Sequence, residues 1–131
     1  MNINFKANGI VLTEAIRDYA TKRIETVGKL LGEYRDNAIV DVELSQTTKH
    51  HKAGNIFRTE VSIRTSSKRF RVVSVKDDLF ASIDDVKEEL ERKIVAKKER
   101  SRTLFRRGAA QVKNVLKGIA SIPRRFKRRK N

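Results

Sequence analysis

Between Arg92 and Arg107 the chain places eight bases, Arg92, Lys93, Lys97, Lys98, Arg100, Arg102, Arg106 and Arg107, with only Glu99 opposing them. Favourable bases near a helix C-terminus account for the last turn of such a run and no more, because dipole effects fade within one turn. The remainder fits a surface that neutralises phosphates. Other chemistry is scarce. The six glycines are scattered and build neither a GxxxxGK phosphate loop nor a dinucleotide fingerprint. His50 and His51 are adjacent, without a cysteine or carboxylate at ligand spacing, and read as solvated loop residues that could touch RNA. Asp84, Asp85, Glu88 and Glu89 could hold a hard cation of the nuclease type, but a solvated helix face explains them better. With no cysteine there is no disulfide, thiolate nucleophile or Cys-ligated zinc, as suits a reducing compartment. No metal, no cofactor and no catalysis are expected.

The elements that must carry these bases follow from periodicity. Ile3 and Phe5 alternate with Asn2, Asn4 and Lys6, the period of a half-buried strand. Thr13 offers an N-cap and Glu14 suits the first turn of a helix. The apolar positions of that helix are Ile16, Ala20, Ile24, Val27 and Leu31, with Gly32 placed as its C-cap. A second strand alternates over 38–45. The segment QTTKHHKAGN reads as a loop, and Phe57, Thr59, Val61 and Ile63, then Phe70 and Val72, predict a hairpin. After Asp77 and Asp78 comes a long helix with the stripe Leu79, Ile83, Val86, Leu90 and Ile94. The order β-α-β-β-β-α predicts an α+β two-layer sandwich: short antiparallel strands, four in one sheet, with two helices on one face and the other face in water.

That open face should show Asn4, Lys6, Asp41, Glu43, Arg58, Glu60, Arg64 and Arg71, while Phe5, Phe57 and Phe70 have core parity. Without aromatic platforms it cannot stack bases as RNA-recognition motifs do. Binding should then depend on phosphates and on the shape of a structured RNA.

Charge divides the chain. The 131 residues carry 31 Lys or Arg and 16 Asp or Glu, a formal net charge of +15, which calls for a polyanion, nucleic acid or an anionic membrane surface. Residues 101–131 hold 11 of those bases and no acid, so we read a folded domain over 1–103 and a basic extension over 104–131. Val112, Val115, Leu116 and Ile119 stand at i, i+3, i+4 and i+7. Residues 109–120 could thus form a basic amphipathic helix stopped by Pro123, before a disordered end bearing Arg124, Arg125, Lys127, Arg128 and Arg129. Docking into an RNA or protein groove is the preferred reading for it, with packing on its own domain, a membrane surface and plain disorder as the alternatives. The opening MNINFK lacks the features of a signal peptide and no 18-residue apolar run occurs, so a soluble intracellular protein is expected.

Several segments together resemble a known family. NINFKANGIVLTEAIRDYATKRIETVGKL, the pair FRTEVSIRT and FRVVSV, and above all VKDDLFASIDDVKEELERKI are similar to the ribosome hibernation promoting factors and ribosome-associated inhibitors of bacteria and plastids. The resemblance covers about residues 1–100, and its most specific piece runs from Asp78 through Leu79, Phe80, Ala81, Ser82 and Ile83 to Asp84. It implies the same β-α-β-β-β-α fold and a non-enzymatic, cytoplasmic translation inhibitor. Such a protein binds the small ribosomal subunit and its rRNA, on the whole ribosome, in the channel of mRNA and the A-site and P-site tRNAs. By position, the family's base late in helix one falls on Arg23, flanked here by Lys22 and Lys29, and its helix-two run falls on Arg92, Lys97, Lys98 and Arg100. Arg23 lies within the apolar stripe, so either its stem snorkels over the core or its head is aimed at a ligand. Two departures weaken the positive face: Thr26 and Glu89 stand where the family usually has lysines. The dimerisation domain of long members has no counterpart after residue 104, so the resemblance implies a short-type member, monomeric off the ribosome. A general structured-RNA or nucleoid-binding module is the alternative that charge and fold alone would also serve.

Overall fold

A computed structural model describes the backbone of residues 1–48 and 54–130 and the side chains of residues 1–47 and 54–112; His50 and His51 lie outside these. The elements are β1 (Asn2–Asn8), α1 (Glu14–Gly28), a 3-10 segment (Lys29–Tyr34), β2 (Ile39–Thr48), β3 (Asn55–Arg64), β4 (Arg69–Lys76) and α2 (Leu79–Lys130). The expected order β-α-β-β-β-α is the observed one. The sheet is mixed rather than antiparallel throughout. Its order is β1-β2-β3-β4, with β1 and β2 parallel and the other two pairs antiparallel. The reason is connectivity: α1 returns the chain to the starting edge of the sheet, and a crossover helix joins parallel strands whereas a tight turn joins antiparallel ones.

Local chemistry sets the element ends. The Thr13 hydroxyl accepts from the Ile16 amide at 3.2 Å, the N-cap expected from the sequence. Gly32 does not cap α1, which stops at Gly28; it sits inside the 3-10 segment with φ 59, where a side chain would be strained. Strand β2 runs on to Thr48 and β3 begins at Asn55, because the hairpin register continues to the pair Thr48 and Asn55. The segment expected as a loop is therefore partly strand.

Two compact units divide the chain, Met1–Val95 and Ala96–Asn131. The division falls earlier than Thr103, and the apolar stripe of α2 explains it. Ile94 is the last stripe residue in the core at 2% exposure, whereas the large apolar residues after it, Val95, Leu104 and Phe105, are 41%, 60% and 78% exposed. In the first unit the core joins Ala20, Ile24 and Val27 of α1, Val40, Val42 and Leu44 of β2, Val61 and Ile63 of β3, Phe70 and Val72 of β4, and Leu79 to Ile94 of α2. Both helices thus cover one sheet face, and each fully buried apolar side chain there is worth about 1.5–3 kcal/mol. In the second unit the backbone of α2 passes through 109–120 and Pro123 to Lys130, a longer helix than the amphipathic pattern delimits.

Candidate nucleic-acid interface

The segment Asp78–Asp84 positions the helix layer, and each of its residues has a physical task. Asp78 caps α2, its carboxylate accepting from the Ala81 amide at 3.1 Å. Leu79 and Ile83 enter the core. Phe80 meets the Tyr19 ring edge-on, with centroids 4.7 Å apart. Ser82, fully buried, shares a 2.7 Å hydrogen bond with the equally buried Thr59 of β3 and donates to the Leu79 carbonyl. This polar contact ties α2 to the sheet inside the core. Nothing in the sequence marked Thr59 and Ser82 as partners, since each fits an apolar-face position by parity alone.

Asp84 closes the bridge between the two helices. The Tyr19 hydroxyl donates to both its oxygens, at 2.8 and 2.9 Å, and Arg23 Nε donates to it at 3.1 Å. The Arg23 guanidinium also lies over the Tyr19 ring, 3.4 Å from the centroid. Arg23 is thus held by an internal carboxylate and an aromatic face, with about a third of its side chain exposed. Of the two sequence readings for it, the stem does lie along the layer, and the head is aimed at Asp84. Burial, then the hydrogen bond to Asp84 and its charge, raise the Tyr19 pKa above its ordinary value, against a smaller opposing effect of Arg23. The phenol consequently stays a donor.

Beside this bridge lies a groove of about 280 Å³ lined by Lys22, Arg23, Thr26, Asp84, Lys87 and Glu88. Lys87, absent from the sequence-based set, joins Lys22 there and pairs with Glu91 at 3.0 Å, one turn on. Its signal was weak: a single base among acids. The acidic residues read as a solvated helix face do not gather into one cluster. Asp84 and Asp85 diverge, the first to Arg23 and Tyr19, the second accepting from Ser74 at 2.7 Å, and the described residues contain no group of three or more metal-ligating side chains.

The remaining predicted bases divide by environment. Lys22 and Lys29 are exposed on α1 and just after it. Arg92 is paired with Glu89, whose hydrogen bond and charge raise its pKa further. Lys93 donates to the Arg71 carbonyl at 3.0 Å. In the second unit Lys97, Arg100, Arg102, Arg106 and Arg107 are exposed and Lys98 is half-buried. Arg124, Arg125, Lys127, Arg128 and Arg129 belong to α2, but their side chains lie outside the described residues.

Residues 3–102 match the family model described as sigma 54 modulation protein / S30EA ribosomal protein. The chain belongs to this family. A solved relative, the N-terminal domain of Thermus thermophilus Protein Y, is 28% identical over 72% of this chain and 96% of its own, with a TM-score of 0.59. A ribosomal subunit interface protein from Coxiella burnetii, 15% identical, covers 76% of this chain and 99% of its own at a TM-score of 0.61, a likeness of fold. The expected resemblance to the ribosome-associated hibernation-type proteins therefore stands. The two positions at which the resemblance implies lysines, Thr26 and Glu89, gain physical content. Thr26 turns its hydroxyl back to the Lys22 carbonyl at 3.0 Å and presents no charge to the groove. The Glu89 carboxylate engages Arg92. Among the described residues no helix is long and apolar enough to cross a membrane.

Proposed function

We propose that this S30EA-family chain is a ribosome hibernation factor that binds the small ribosomal subunit in the mRNA and tRNA channel, across the A and P sites, and inhibits translation while the ribosome is idle. The observation that carries the reading is the base run of α2, eight Lys or Arg between residues 92 and 107 against Glu99 alone, in a chain of this family. Long flexible bases on a helix suit a phosphate backbone, where each contact adds affinity without reading sequence. Lys22, Arg23 and Lys87 supply a smaller basic rim on the helix layer. Arg23 and Arg92 begin engaged with Asp84 and Glu89, so each must exchange an internal carboxylate for a phosphate on binding. Inhibition needs no catalytic group: a folded layer lodged where tRNA must sit excludes it by volume. The basic extension adds non-specific affinity to that fit.

The test is a density map of the chain on vacant ribosomes, with competition by initiator tRNA. Density in the tRNA channel and mutual displacement by tRNA are expected. Density elsewhere, or undisplaced binding, would leave only a general RNA-binding module.

A further inference from the structure

The open face of the sheet is less evenly mixed than its sequence pattern implies. Its carboxylates are engaged toward the middle: Asp41 accepts from Asn4 and pairs with Arg64 at 3.6 Å, Glu43 accepts from Asn8, and Glu60 takes both Arg58 and Arg71. At the end of the β3-β4 hairpin the balance fails. Arg64 and Arg69 stand directly opposite each other in the strand register, and Ser62 faces Arg71. Arg64, Arg69 and Arg71 are all exposed on the same face. Like charges directly opposite on antiparallel strands destabilise a sheet, and here no described carboxylate pairs with Arg69. A shallow groove of about 250 Å³ runs along these positions, lined by Ser62, Ile63, Arg64, Arg69, Phe70 and Arg71.

From this we infer that the hairpin end is a second anion site, facing away from the helix layer, that takes a phosphate group between Arg64, Arg69 and Arg71. A phosphate oxygen pair matches the guanidinium fork, and the Ser62 hydroxyl adds a neutral donor. The anion would relieve the Arg64–Arg69 opposition, which Asp41 offsets on the Arg64 side only. Phe70, the aromatic residue of the lining, is buried in the core at 7% exposure, so a phosphate rather than a stacked base is the group recognised. Its source is either a phosphodiester of an RNA strand or a free phosphate. In the first case the protein would grip RNA from both faces. The inference stands apart from the helix-layer surface, since it uses none of the same residues.

The full chain, isotope-labelled, should be titrated with inorganic phosphate and separately with a 12-nucleotide oligouridylate while the backbone amides of residues 62–64 and 69–71 are followed. Shifts of these amides with RNA alone assign the site to a phosphodiester; shifts with inorganic phosphate as well assign it to a free phosphate. With oligouridylate, Arg69→Gln should raise the Kd several-fold and flatten the salt dependence by about 0.7 for each phosphate no longer neutralised, while Arg69→Lys should restore part of the affinity. The triple variant Arg92→Glu, Lys97→Glu, Lys98→Glu should keep the hairpin shifts even if it no longer binds ribosomes, which separates this site from the helix-layer proposal. Silence of the hairpin amides toward both probes would overturn the inference. So would hairpin shifts and affinity unchanged by Arg69→Gln.

Discussion

Residues 1–95 and 96–131 hold similar numbers of bases, 17 and 14, but 15 acids stand in the first stretch and one in the second. In the first, carboxylates meet bases within the fold: Asp84 with Arg23, Glu60 with Arg58 and Arg71, Asp41 with Arg64, Glu91 with Lys87, Glu89 with Arg92. Most of these pairs are solvent-exposed, where each contributes about 0–1 kcal/mol. Their larger effect is on availability, because a base already beside a carboxylate gives a phosphate less net gain. In the second stretch Glu99 is the sole acid. Under the proposed function, bases placed among acids serve architecture and fine placement, and bases without acids serve affinity.

The strongest way to break that comparison is to remove the architecture of the first region. Val61→Asp puts a carboxylate at a position 2% exposed, with β2 and β4 on either side, and should cost on the order of 4 kcal/mol in denaturant unfolding. Next comes charge reversal at Arg92, Lys97 and Lys98, which lie off the buried stripe. Ribosome co-sedimentation should weaken by about a hundredfold, as three phosphates go unneutralised at roughly 1 kcal/mol each, with an unchanged circular dichroism spectrum. Retained binding would mean that the acid-poor run is not the affinity surface.

Removal of residues 104–131 should lower affinity by about tenfold at moderate salt and make log K fall less steeply with log salt, by about 0.7 for each phosphate the extension neutralises. Competition with initiator tRNA should survive. If it vanished while binding persisted, occlusion would belong to the extension. Ser82→Ala leaves the Thr59 hydroxyl buried without its partner and should cost about 1–2 kcal/mol, read as a lower denaturation midpoint with no change in salt slope.

The smallest effect expected is a pH dependence from Tyr19. Its folded pKa lies above the unfolded value near 10, so its stabilising contribution is full below that value and is lost as pH rises through the folded pKa. Tyr19→Phe should remove this alkaline fall in stability. An alkaline limb unchanged in the variant would show that the Tyr19–Asp84 bond does not link proton binding to folding.

Much of the fold was legible because burial alternates with a period the sequence records. Val40, Val42 and Leu44, or Leu79, Ile83, Val86, Leu90 and Ile94, announce the faces they bury, and all are buried. The Thr13 cap was equally visible, since a cap is chemistry between residues three apart. The end of α1 was not: Gly32 looks like a terminator, yet it sits with positive φ inside the following 3-10 segment. The site was legible as a population of bases and less so as an arrangement. Lys87 was hidden by its acidic neighbours, and the Arg64–Arg69 opposition appears only when β3 and β4 are laid side by side.

The amino-acid order alone determined the order β-α-β-β-β-α, the inward residues of these elements up to Ile94 and the steep rise of positive charge beyond it, because all three depend on spacing within one segment. Tertiary structure decided who meets whom. Arg23 and Asp84 are 61 residues apart in sequence, Thr59 and Ser82 are 23 apart, and β1 runs parallel to β2. A one-dimensional pattern states that a side chain faces inward or outward. It holds no term for the distance between two elements, and that distance settles whether an arginine meets a carboxylate of its own fold or stays available to a phosphate.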